Sequence, residues 1–270
     1  AIGRRRNFKG KTGEILGSRT RVFRNVHGAS EVSLEPVPVK AEQSNTSVVY
    51  GDRLILKLFR RLEEGINPEL EIGRFLTERT AFLHISQVAG ALEYFSGKGR
   101  IVTLATLQSF VPNEGDAWQY ALDFLNRYFK YVLAHHTVQV PPIPREHLLS
   151  LPEEASALAQ ETIGPYLVSA RLLGTRTAEL HVALASAPDD PEFAPEPFSL
   201  IYQNSLYHAM RSFTTQTLQL LRDRLRELPE GLRENAQLVL DSENNIIERF
   251  QLIRHRKISA SRIRCHGDYH

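Results

Sequence analysis

Apolar residues change their spacing once along this chain, near residue 116, and that change bounds the fold more tightly than any single motif. Before it they come in short runs separated by turn residues. Val48, Val49 and Tyr50 lead into Gly51-Asp52, and an apolar run from Leu54 to Phe59 follows. This is a hairpin pattern, because glycine at the first central position suits a type II′ turn. Lys57 falls inside the second of the two strands. Runs at 90–95 and 100–110 repeat the pattern around Ser96-Gly97-Lys98-Gly99. Between the hairpins, Asn67-Pro68 marks a helix start, with Asn as cap and Pro at the first helical position, and Glu69-Leu70-Glu71-Ile72 continues it. An antiparallel sheet with one helix is expected.

From Asp116 onward, Trp118, Ala121, Leu122, Leu125 and Tyr128 share one face of a helix. Trp118 is read as core at that spacing. Pro-rich breaks at 138–152 and 187–198 interrupt the helical part, and amphipathic stretches at 199–228 and 231–256 meet at Pro229. The fold class expected is α+β: a small antiparallel sheet lobe with one helix, followed by a mainly α-helical lobe. There is no internal repeat and no low-complexity tract.

Composition excludes some classes of function. The 33 Lys and Arg against 31 Asp and Glu leave a formal charge of +2, too little for nucleic acid to be the main partner. Arg4, Arg5, Arg6, Lys9 and Lys11 are read as a solvated terminal segment. A single cysteine, Cys265, excludes an intrachain disulfide. No apolar run reaches the ~20 residues a membrane helix needs. With one cysteine and no such run, the cytoplasm is the expected compartment; the start at Ala1, which lacks the apolar core of a signal peptide, adds little to that.

The chemistry-bearing segment is His266-Gly267-Asp268-Tyr269-His270. His-Gly-Asp-x-His is the form of the catalytic loop in kinases related to the aminoglycoside phosphotransferases, where protein kinases have His-Arg-Asp. Phosphoryl transfer needs a carboxylate to take the acceptor hydroxyl's proton while that hydroxyl is held in line with the γ-phosphate, which assigns Asp268 as catalytic base. Upstream, Lys57 stands in Leu54-Ile55-Leu56-Lys57, comparable to the Val-Ala-Ile-Lys strand whose lysine contacts the α- and β-phosphates. Glu71, on the helix that follows, is expected to pair with it. The loop Ser44, Asn45, Thr46 and Ser47 stands where a phosphate-covering loop is needed, and offers hydroxyl, amide and backbone donors in place of glycines.

These residues together resemble the maltokinases, including those fused behind a trehalose synthase domain. The resemblance rests on four segments besides the terminal His-Gly-Asp-Tyr-His. They are Glu42-Gln43-Ser44-Asn45-Thr46-Ser47-Val48-Val49-Tyr50-Gly51-Asp52-Arg53; Leu56-Lys57-Leu58-Phe59-Arg60-Arg61 with Asn67-Pro68-Glu69-Leu70-Glu71-Ile72-Gly73; Leu173-Gly174-Thr175-Arg176-Thr177-Ala178-Glu179-Leu180-His181; and Phe193-Ala194-Pro195-Glu196-Pro197-Phe198. What the resemblance implies is a bilobal protein-kinase-like fold, ATP and Mg²⁺ as cofactors, maltose converted to maltose 1-phosphate, and a trehalose synthase domain as partner. On that pattern residues 1–39 are the end of an N-terminal cap, 40–112 the nucleotide-binding lobe and 113–270 the helical lobe. Gln108 and Val111 are expected near the hinge that faces the adenine.

The family continues past this motif through metal-binding residues and sugar-binding helices. The chain is therefore expected to be a fragment cut inside the catalytic loop, inactive alone, with no metal ligand of its own. Two other readings of the same motif remain: a phosphotransferase for an aminoglycoside, choline or another small alcohol, and a non-catalytic interaction module. Glu179 and His181 are read as packing or ion-pair residues. His135 and His136 are adjacent and so point to different faces of a helix, which argues against zinc.

Overall fold

Why the first part of the chain forms one sheet is visible strand by strand in the structure, a computed structural model that describes residues 1–28, 34–39, 45–135, 157–267 and 269. The strands are β1 (Asn7–Lys9), β2 (Gly13–Arg19), β3 (Pro36–Pro38), β4 (Asn45–Tyr50), β5 (Leu54–Phe59), β6 (Val88–Ser96) and β7 (Ile101–Ser109), with helices α1 (Phe23–His27) and α2 (Pro68–Arg79) between them. They lie in the order β1-β2-β6-β7-β5-β4-β3, every named pair antiparallel. The expected hairpin forms between β4 and β5, with Gly51 at φ +59°, a value that favours glycine.

The segment 1–39, expected to be the end of a separate cap, supplies β1, β2 and β3 to this same sheet. The expected boundary at residue 39 therefore falls within one hydrogen-bonded layer. β1 and β3, of three residues each, carry too little alternation to be seen in a sequence, and β2, of seven, was missed as well. β3 closes one edge with Pro36 and Pro38, which cannot donate to a further strand.

Each face of the sheet buries its own cluster. Ile2, Phe23, Leu54, Ala89 and Leu107 pack on one side. α2 covers the other, with Leu70 against Val88 and Ala91. Polar pins hold α2 there. Arg74 donates to the buried Glu93 at 3.2 Å, and Thr77 Oγ1 accepts from the backbone N–H of Val88 at 3.0 Å. A methyl group added to Gly73 would stand 2.6 Å from Val88 Cγ2, so only glycine lets the helix approach this closely.

Two further helices belong to the same compact unit, which comprises Ala1–Ser186 and Cys265–His270. These are α3 (Ala117–Ala134), capped by Asp116 Oδ1 on Gln119 N at 2.7 Å, and α4 (Ala157–Leu184), kinked at Ile163 two residues before Pro165. Here the sequence reading of Trp118 is corrected. The residue is 74% exposed, and α3 buries none of its side chains among the described residues. The contact with α4 falls on another face: Tyr120 and Phe124, which do not belong to that stripe, pack on Tyr166 of α4, and Leu125, Phe129 and Leu133 stay exposed.

The second unit, Ala187–Arg264, is compact by itself, so the region 113–270 is not a single lobe as expected. It holds β8 (Glu196–Pro197) paired with β9 (Ser261–Arg262), and helices α5 (Leu200–Arg224), α6 (Glu230–Asp241) and α7 (Glu243–His255). The amphipathic stretch 231–256 breaks at Ser242 into α6 and α7. Gln203, almost wholly buried, donates to the carbonyls of Ile253 and Arg256 and so ties α5 to the end of α7. No helix of the described residues is long and apolar enough to cross a membrane.

Candidate functional site

Directly opposed residues of an antiparallel pair project to the same face of a sheet. The register sets Ser47, Lys57 and Thr106 in one row across β4, β5 and β7, and Ile55 and Gln108 in the next. This is the face α2 covers. On α2, Glu69 lies four residues before Gly73, hence on the side of the helix that approaches the sheet. The three polar groups converge: Lys57 Nζ lies 2.9 Å from Glu69 Oε1, and Gln108 Nε2 donates to that same oxygen at 2.8 Å.

The partner of Lys57 is thus Glu69, not Glu71 as the sequence led one to expect. Successive helical residues turn by about 100°, so Glu71 stands some 200° around the axis from Glu69. Both cannot face the sheet. The close approach at Gly73 decides which one does, and a Gly four residues after a Glu was the signal available in the sequence. Glu71 is half-buried elsewhere on the helix.

The N-terminus of α2 is fixed independently. Asn67 Oδ1 accepts from Glu69 N at 2.9 Å, the expected cap, and Asn67 N donates to Thr103 Oγ1 on β7 at 2.9 Å. Glu69 sits in the first turn, where the helix dipole favours a carboxylate. The lysine–glutamate pair is mostly sheltered, with side chains 27% and 26% exposed.

A cleft of about 760 Å³ opens over this pair, and among its walls are Asn45, Lys57, Glu69, Thr103, Gln108 and His266. Of the residues singled out in the sequence, the fold therefore gathers Asn45, Lys57 and Gln108, together with His266 of the His-Gly-Asp motif. Ser47 is fully buried within the row that holds Lys57, and Thr46 Oγ1 instead accepts from Arg60 Nε at 3.2 Å. Neither is a wall of the cleft. Val111 lies beyond the end of β7, exposed, and Gln108 is engaged with Glu69 within the sheet. Ser44 and Asp268 lie outside the described residues. Thr103 and Glu69 are the site residues that sequence reasoning missed.

Two buried polar atoms here lack a hydrogen-bond partner among the described residues: Thr106 Oγ1, across the ladder from Lys57, and Nδ1 of His266. Near the latter, the Tyr269 hydroxyl meets Thr177 Oγ1 of α4 at 3.0 Å, which docks the motif's last described residue on the Arg176-to-His181 stretch. Among the described residues, no group of three or more His, Cys, Asp or Glu is gathered where it could hold a metal ion.

No protein-family model matches the chain. A solved structure of a glucosamine kinase aligns with 93% of this chain and 59% of its own length, at 17% identity and a TM-score of 0.49. The chain thus spans less than two thirds of that protein. Likeness at this level leaves fold and function to be argued from the residues themselves.

Proposed function

We propose that this chain is the nucleotide-binding part of an ATP-dependent kinase that phosphorylates a sugar hydroxyl, with maltose as acceptor at its C1 hydroxyl. The observation that carries the reading is the Lys57–Glu69 ion pair, strand lysine to helix glutamate, at the wall of a cleft. A lysine on a central strand held by a carboxylate on the following helix is the arrangement by which protein kinases hold nucleotide phosphates. The cleft is of the size of small-molecule sites, which run from ~300 to ~1,000 Å³. The maltose reading rests on the sequence resemblance to the maltokinases, and so does a trehalose synthase domain as partner.

When bound, ATP supplies the phosphoryl group. The protein's own part is to bind and orient. The Lys57 ammonium donates to phosphate oxygens, Glu69 keeps that ammonium from swinging away, and Asn45 adds an amide donor at the cleft wall. Asp268 takes the acceptor hydroxyl's proton. Among the described residues, no group of three or more His, Cys, Asp or Glu stands together to hold Mg²⁺.

Calorimetric titration with ATP tests this. The chain should bind ATP, and Lys57→Met should weaken binding by at least ~10-fold, the range expected when a charge-assisted hydrogen bond is lost. Equal affinity in wild type and Lys57→Met would remove the nucleotide reading. Maltose-dependent ADP formation by a longer form of the protein that carries the metal-binding and sugar-binding segments the resemblance implies, compared with glucose and glucosamine as acceptors, tests the sugar.

A further inference from the structure

The family resemblance implied that Gln108 lies near the hinge that faces the adenine. Its position points to another role. β7 is the fourth strand in a sheet of seven, bonded on both sides by β5 and β6, so the backbone of Gln108 is among the most firmly held in the unit. The side chain is 7% exposed. The charged groups it meets stand on rotatable side chains: the Glu69 backbone is held by the Asn67 cap but its carboxylate is not, and Lys57 carries its charge on a four-carbon stem.

We infer that Gln108 is a positioning residue for phosphate binding: its amide clamps the Glu69 carboxylate from the sheet side and so fixes where the Lys57 ammonium stands before any nucleotide arrives. This rests on the reading of Lys57 as the phosphate contact. The chemistry assigns the orientation of the amide, because a carboxylate oxygen accepts and never donates, so Nε2 faces Glu69. Lys57 and Gln108 converge on one oxygen, Oε1, at 2.9 and 2.8 Å. That oxygen then has its two acceptor directions filled. An ammonium carries three N–H groups, and with one on Glu69 two remain for phosphate. A neutral donor is suited to this position. A second cation would compete with Lys57 for the carboxylate, and a second carboxylate would draw the ammonium away from the cleft.

Gln108→Leu keeps the volume and removes the donor. In the 270-residue chain we expect it to bind ATP ~10-fold more weakly than wild type, the order of one hydrogen bond to a charged group. Adenosine, which has no phosphate, should bind both proteins alike. Glu69→Gln should lose a similar factor, and the double variant little more than either single one, since all three break one linkage. A loss shared equally by ATP and adenosine would overturn the inference, because Gln108 would then contact the base. Fully additive losses would overturn it too. If wild type binds no ATP at millimolar nucleotide, the nucleotide reading falls, and urea unfolding still decides the clamp. The two single variants' midpoint shifts should then sum to clearly more than the double variant's, whereas strict additivity would mean that Gln108 does not hold Glu69.

Discussion

Helices α2 and α3 belong to the same compact unit and are held in opposite ways. α2 is the shorter, with 12 residues, and buries Leu70, Ile72, Gly73, Phe75, Leu76 and Thr77. α3 has 18 residues, a cleaner apolar stripe, and no buried side chain among the described residues. What separates them is the partner surface. α2 lies on a sheet and is fixed by Asn67 to Thr103, Glu69 to Lys57 and Gln108, Arg74 to Glu93, and Thr77 to Val88. α3 meets α4 through ring contacts and two tyrosine hydroxyls, Tyr120 to Ser169 and Tyr131 to Glu161. Periodicity records that a face is apolar, not that anything covers it.

The contrast predicts a wide gap in stability effects. Leu70→Ala, at a fully buried position, should cost ~2 to 5 kcal/mol, the range for a core leucine truncation. Trp118→Ala should stay within about 0.5 kcal/mol, as an exposed substitution does. Urea unfolding of the two variants tests the contrast, and comparable losses would mean that α3 is covered in solution. Next in size is Gly73→Ala. The new methyl, 2.6 Å from Val88 Cγ2, forces the helix off the sheet at a cost of ~1 to 3 kcal/mol and draws Glu69 away from Lys57, so ATP affinity should fall along with stability. A stable Gly73→Ala chain with unchanged ATP affinity would break the link between helix approach and site.

The two N-caps sharpen the comparison at smaller scale. Asn67→Ala removes a cap whose backbone also binds Thr103, and should cost about 1 kcal/mol. Asp116→Ala removes the cap of a helix with little packing behind it, and in unfolding of the whole unit should cost about half that at most. If Asp116→Ala proved the costlier, the packing of α3 would contribute more than its exposure implies.

Much of the sheet end was legible. The β4–β5 and β6–β7 hairpins follow from turn residues between apolar runs, and the start of α2 from Asn67-Pro68, because these signals are local. The partner of Lys57 was not, since choosing Glu69 over Glu71 needs the rotation of α2 about its axis, which a close approach at Gly73 sets. Gln108 fell within the strand run at 100–110, but its bond to Glu69 was not foreseen, because it joins residues far apart in sequence. The strands β1 and β3 were missed for shortness, and the seven-residue β2 was missed too. On α3 the helix was legible from its period, while the exposure of Trp118 depended on which face α4 meets, that of Tyr120 and Phe124, which no local pattern carries.

The smallest effect concerns the pin between α3 and α4. Tyr131 donates to Glu161 Oε1 at 2.9 Å, and its phenol is held above the ordinary value of 10.0, first by that hydrogen bond, then by desolvation, then by the charge of the carboxylate. The folded state therefore keeps this proton more tightly than the unfolded chain does. Its contribution is complete below the unfolded value near 10 and is lost as pH rises through the folded one. Ionised, the phenolate loses its donor and faces a carboxylate, so the contact becomes repulsive. Glu161→Gln removes that charge and replaces it with a neutral acceptor, and should lower the Tyr131 titration. It is read as the difference in tyrosinate absorbance between each protein and its Tyr131→Phe counterpart, since the chain has 9 tyrosines. Hydrogen exchange on either side of the transition shows whether the loosening stays with α3 and α4 while the amides of α2, pinned through Asn67 and Thr77, keep their protection. An unchanged Tyr131 titration in Glu161→Gln would mean that α3 and α4 do not rest against each other through this bond.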